Sequence, residues 1–180
     1  MTHNGEVVMD HDAIARAIAE LAGSIAATVP RAEDLGLVGI HTGGVPLARR
    51  LASQLSSSHG LKVPVGSVDI AFYRDDAATA LPDPKIGPSD VPFDPSGRDV
   101  VLADDVLQTG RTVRAALDCL LDFGRPRRVW LAVLCDRGGH ELPIAADFVG
   151  QALDAPRGSR VEVDLTGPRD LAVLVRPPTT

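Results

Sequence analysis

Lysine is almost missing from this chain: Lys62 and Lys85 are its only two, so arginine supplies the rest of the 18 basic residues. Against 24 acidic residues they leave a net charge of −6, which argues against a protein that grips nucleic acid by bulk electrostatics and leaves only a local basic face for it. Aromatic residues make up only 3%, too few to build stacking platforms for single-stranded bases. Cysteine is limited to Cys119 and Cys135, both inside apolar stretches; buried thiols in a reducing compartment fit better than a disulfide framework. No apolar run approaches the ~18–20 residues of a membrane-spanning helix. The first residues show no basic segment followed by an apolar one, so a cytoplasmic protein is expected. The five histidines are scattered, with no Glu or Cys at metal spacing, which argues against a zinc site.

What remains is ordinary globular material: 180 residues, 44% hydrophobic and 23% charged. That suits one domain, 1–180, with a core of its own. Ile14, Ile18, Leu21 and Ile25 recur at helical spacing and predict a helix over about Met9–Thr28, closed by Pro30. Leu37–Ile40 reads as a buried strand, followed by the turn His41-Thr42-Gly43-Gly44 and a helix carrying Val45, Ala48, Leu51, Ala52 and Leu55. A strand is expected over about Val63–Phe72, and then Tyr73–Arg98, with five prolines, shows no periodicity. Beyond it come a strand (Asp99–Ala103), a helix (Thr112–Phe123) and a strand (Arg128–Cys135). Shorter strands are expected near Asp147–Val149, Arg160–Leu165 and Leu171–Val175. This alternation predicts an α/β fold with a mainly parallel central sheet flanked by helices. Ligands of such sheets bind beyond the carboxyl ends of the strands, where His41–Gly44, Asp104–Thr112 and Asp136–Gly139 fall.

The strongest chemical signal is the run from Val100 to Thr112, VVLADDVLQTGRT. An apolar strand delivers Asp104 and Asp105 to the sheet edge, and Thr109-Gly110-Arg111-Thr112 leads into a helix. A helix N-terminus carries unpaired N–H groups and partial positive charge, which suits a phosphate. The two carboxylates would repel that phosphate and instead suit the hydroxyls of a sugar diol. Together they describe a ribose-phosphate ligand. The alternative is a capped turn, with Thr109 as helix N-cap. No Walker signature and no dinucleotide glycine triplet is present.

The segment resembles the 5-phosphoribosyl-1-pyrophosphate (PRPP) motif of type I phosphoribosyltransferases. LVGIHTGGVPLA (37–48), VDIAFYRDD (68–76), FGRP (123–126), DRG (136–138), ELPI (141–144) and ADFVG (146–150) extend the likeness. Together they are similar to the PyrR family, regulators of pyrimidine operons that are also uracil phosphoribosyltransferases. The resemblance implies a type I phosphoribosyltransferase fold with a mobile hood loop at 73–98, and conversion of uracil and PRPP to UMP and pyrophosphate. Catalysis then falls to Asp104, Asp105 and Arg74. PRPP and UMP are held by Asp104, Asp105, Val106, Leu107, Gln108, Thr109, Gly110, Arg111 and Thr112. Pyrophosphate meets His41, Thr42, Gly43 and Gly44, with a cis peptide expected at Thr42–Gly43. Arg137 and Val161 line the nucleotide site; an arginine paired with Asp136 or Glu141, and a core valine, account for them equally. Tyr73, Arg74, Asp75, Asp76 and Lys85 belong to the hood. Mg²⁺ arrives with the substrate rather than in a protein cage, and a homodimer or homotetramer is implied.

The sequence departs from the family in three respects. Gly43 stands where members commonly carry arginine, and Gly87 replaces a basic hood residue, with Lys85 nearby. Gly139, Ala145 and Gln151 stand in the region where members that bind leader RNA carry basic residues. Slow turnover and weak or absent RNA binding are therefore expected. The alternative function is a catalytically weak nucleotide sensor acting through RNA or a protein partner.

Overall fold

The computed structural model describes residues 5–71, 73, 89–156, 158–167 and 169–175. Among them the chain runs β1 (Glu6–Met9), α1 (His11–Thr28), a 3-10 turn (Ala32–Asp34), β2 (Leu35–Ile40), α2 (Gly44–His59) and β3 (Val65–Val68). It continues through β4 (Asp99–Leu107), α3 (Arg111–Leu121), β5 (Arg128–Asp136), β6 (Phe148–Ala152), β7 (Arg160–Asp164) and β8 (Leu171–Val175).

Five strands form a parallel sheet in the order β3-β2-β4-β5-β6. Helices cover both faces, and that explains why all six residues of β2 are buried. Alternation along β4 assigns the faces. Val101 and Ala103 join Ile14, Leu21, Leu47 and Leu51 of α1 and α2. Val100 and Leu102 join Val113, Ala116 and Leu120 of α3. Two cores thus sandwich one sheet.

The helix ends follow local chemistry. Asp10 caps α1, its Oδ1 accepting from the Ala13 amide at 2.8 Å, so the helix begins after Met9 rather than at it. Met9 instead closes β1, a strand not expected from the sequence. Gly60, at φ 68°, ends α2 in the left-handed conformation that favours glycine. β3 stops at Val68 instead of reaching Phe72, because the chain turns back: Asp69 accepts from the Ala71 amide and the Tyr73 amide donates to Ile70.

A second, antiparallel sheet of order β1-β8-β7 joins the two ends of the chain. Buried Asp170 ties it to the helices. Arg50 of α2 grips both its carboxylate oxygens and also donates to the Leu165 carbonyl at 3.1 Å. The Asp170 amide donates to Nδ1 of His11, on α1. The expected hood ends earlier than Arg98. Ser67 and Asp90 exchange backbone bonds at 2.7 and 2.8 Å, and Phe93 packs over Gly36, so 89–98 belong to the body.

Candidate functional site

The strand order reverses direction between β2 and β4. From β2 the chain crosses to β3 on one side, and from β4 to β5 on the other. Turns leaving two such neighbouring strands diverge and open a crevice. Here those turns are His41–Gly44 and Gln108–Gly110, and the acidic pair lies between them.

Asp104 is 5% exposed and Asp105 is half-buried. The Asp105 amide donates to Asp104 Oδ1 at 3.0 Å, and the Val106 amide to Asp105 Oδ1 at 2.8 Å. Burial, and then the neighbouring Asp105 charge, push the Asp104 carboxyl well above the ordinary carboxylate range. Asp105 is also raised, chiefly by burial. Two acids packed this closely are primed for hydroxyl donors or for positive charge. Cys135, on the adjacent strand, has its thiol pushed up to about 12 by burial and by Asp105, and is inert.

The turn after β2 packs directly on the acids. A Cβ at Gly43 would overlap the Asp105 carboxylate, and one at Gly44 would overlap the Ala103 carbonyl. The turn contains a cis peptide at His41–Thr42. That is one bond earlier than the expected Thr42–Gly43, since β2's last ladder bond already ends at His41, whose amide donates to Val68 at 3.0 Å.

On the other side, Gly110 rather than Thr109 is the N-cap of α3. Its φ of 87° requires glycine, and no side chain caps the helix. Thr109 Oγ1 accepts weakly from the Arg111 amide at 3.3 Å. The loop is braced from beneath by a segment to which sequence reasoning gave no structural part. The Glu141 and Leu142 amides donate to the Thr109 carbonyl at 3.0 and 3.1 Å, and Leu142 and Ile144 lie against Gly110. Glu141 pairs with Arg111.

A cavity of about 370 Å³ adjoins this loop, lined by Val106 through Val113 and, from β7, by Arg160 and Val161. Val106, Leu107, Gln108, Thr109, Gly110, Arg111, Thr112 and Val161 are thus brought together as expected. Arg137 is not. Only 6% exposed, it donates through Nη1 to the Ser159 carbonyl, neither facing the cavity nor pairing with Asp136 or Glu141. Tyr73 lies over α3, bonded to Asp122 at 2.5 Å, while Arg114 donates to its carbonyl at 2.9 Å. Arg74, Asp75, Asp76, Lys85 and Gly87 lie outside the described residues. Arg160 was missed; its place immediately before Val161 was the available signal.

Paired acids set between two glycine turns at the switch point of a parallel sheet define a type I phosphoribosyltransferase fold. The phosphoribosyl transferase domain family matches residues 5–159. The hypoxanthine phosphoribosyltransferase of Trypanosoma cruzi superposes with a TM-score of 0.68, covering 96% of this chain and 97% of that one at 19% identity. A hypoxanthine-guanine phosphoribosyltransferase from Bacillus anthracis gives 0.66, covering 83% and 84% at 17% identity.

Within that class the chain belongs to the PyrR family. It is 52% identical to the bifunctional protein PyrR of Roseiflexus sp. (strain RS-1), covering 88% of this chain and 86% of that one. It is 48% identical to the Deinococcus radiodurans protein of the same name, with 98% of both chains covered. No helix among the described residues is long and apolar enough to cross a membrane.

Proposed function

We propose that this chain, acting as one phosphoribosyltransferase domain in the cytoplasm, joins uracil to PRPP to give UMP and pyrophosphate. The same pocket reports UMP and PRPP for control of pyrimidine genes. The observation that supports the reading best is the acidic pair held between two amide-bearing turns, on the strand whose end leads into the cavity-lining loop.

The uncapped amides at the start of α3, with the Thr109 and Thr112 hydroxyls, hold the 5′-phosphate. Asp104 and Asp105 accept hydrogen bonds from the two ribose hydroxyls. Their negative charge lies beside C1, where positive charge develops as the bond to pyrophosphate breaks and the uracil N1 bond forms. Amides of His41–Gly44 meet the departing pyrophosphate.

The donor set fits Mg²⁺ carried in with PRPP. Two mutually repelling carboxylates gain from a cation, and among the described residues no cluster of three His, Cys, Asp or Glu forms a cage. When bound, the ion would neutralise pyrophosphate charge, and Asp104 and Asp105 would be the carboxylates that hold it.

Gly43 makes the pyrophosphate turn poor in positive charge, and the Asp105 carboxylate fills the space above it. Turnover is accordingly slow, while the pocket still binds nucleotide. A panel of bases incubated with PRPP and Mg²⁺, run beside UMP calorimetry, tests this. Uracil alone forms product, slowly, and UMP binds. Rapid uracil-dependent pyrophosphate release refutes the slow turnover, and product from another base refutes the substrate. Light scattering tests assembly to a dimer or tetramer.

A further inference from the structure

Besides the end of β4, the loop after it and the start of α3, the cavity is lined by the start of β7. Arg160 lies there, with its side chain 70% exposed. Its fork is half occupied: Nε and Nη2 both bond Glu162 Oε1 at 2.7 Å. Among the described residues Nη1 has no partner, so its two protons remain for an acceptor from solvent or ligand.

The backbone beneath Arg160 is fixed from the sheet. Arg137, immediately after β5, donates its amide to Leu107 at 3.1 Å. Its buried guanidinium reaches across to the carbonyl of Ser159, the residue before Arg160. Ser159 in turn bonds the Pro156 carbonyl through its hydroxyl. Val106 and Val161 pack on the same core cluster, which holds β7 against the end of β4. An exposed arginine anchored in this way is a positioned donor rather than a wandering surface charge.

We propose that Arg160 is a specificity-determining residue that donates hydrogen bonds to a carbonyl oxygen of the pyrimidine base, with Arg137 as the buried strut that positions it. The proposal rests on the nucleotide reading of the pocket given above. A base carbonyl is a planar acceptor that a guanidinium matches, and Glu162 takes only the Nε and Nη2 edge of the fork.

Calorimetry with UMP, CMP and ribose 5-phosphate on the wild type, Arg160→Ala and Arg160→Lys tests it. Arg160 is on the surface, so both variants are expected to fold, which their melting curves verify. Arg160→Ala loses about 10- to 100-fold in UMP affinity, as expected for a hydrogen bond from a charged donor, while ribose 5-phosphate changes by less than about twofold. Arg160→Lys recovers part of the loss. A loss shared by CMP assigns the contact to the C2 carbonyl, which both bases carry; a loss confined to UMP assigns it to the C4 carbonyl. Either supports the proposal. Unchanged UMP affinity overturns it, and so does an equal loss with ribose 5-phosphate, which would make Arg160 a phosphate ligand. A wild type that binds none of the three brings down the nucleotide reading itself, and this proposal with it.

Discussion

Asp104 carries the tension between stability and function in its single side chain. Its folded pKa is raised by burial and by Asp105, so folding favours the protonated form. The sign follows directly: that contribution is complete below the unfolded pKa, about 4, and is lost as pH rises through the folded value. As pH rises through that folded value the buried acid takes on charge and weakens the fold. Asp104→Asn removes the charge and keeps an oxygen to accept from the Asp105 amide. We expect its Tm to exceed the wild type's by about 2–4 °C at neutral pH, with the gap closing as pH falls toward about 4. Transferase activity drops about 100-fold or more. Equal melting temperatures across that pH range, read by calorimetry, would remove the electrostatic account. The acids and the glycine turn beside them were legible in the sequence because a strand, two carboxylates and a glycine turn stand in register. Arg137 was not, since its partner is a backbone carbonyl 22 residues away, and no side-chain pattern signals such a bond.

Elements that rest on local periodicity were read to within a few residues: β2, α2, α3 and β5 all carry continuous or helically spaced apolar residues. The small sheet was hidden because it exists only through pairing of the chain's two ends. β1 has four residues and two exposed positions, too little alternation to distinguish it from a tail. What joins the elements is also not periodic. Gly39 is an example: a Cβ there would lie 2.5 Å from the Val45 Cα and 2.7 Å from the Gly44 carbonyl oxygen, both backbone atoms of α2. The helix comes this close to β2 because the strand has no side chain at that point, and the contact sets where the turn His41–Gly44 lies relative to Asp105. Gly39→Ala pushes α2 outward. It costs about 1–3 kcal/mol, as overpacking does, read as a lower urea midpoint with unchanged slope. KM for PRPP rises with it, because the pyrophosphate turn moves with the helix. A variant of wild-type stability would show that the helix sits further away than described.

At the scale of the whole molecule, the question is whether this surface can hold RNA as well as nucleotide. Net charge is −6, so attraction to a phosphate backbone depends on a local basic face. Arg16, Arg31 and Arg49 are exposed on or near the first two helices. Arg50, beside them in sequence, is not available to such a face: its guanidinium is spent on Asp170 and the Leu165 carbonyl, joining the small sheet to the helices. Gly139, Ala145 and Gln151 offer no charge, and His140 is paired with Asp136 at 2.9 Å. On this face the described residues offer three exposed arginines, short of the six to ten phosphate contacts that make binding strong and salt-dependent. A gel-shift titration of a pyrimidine-leader RNA is therefore expected to give no discrete complex below about 1 µM protein at physiological salt, with or without UMP. A tight, UMP-enhanced complex would mean that assembly of several chains builds a basic face that one chain lacks. It would return RNA to the centre of this protein's regulatory role.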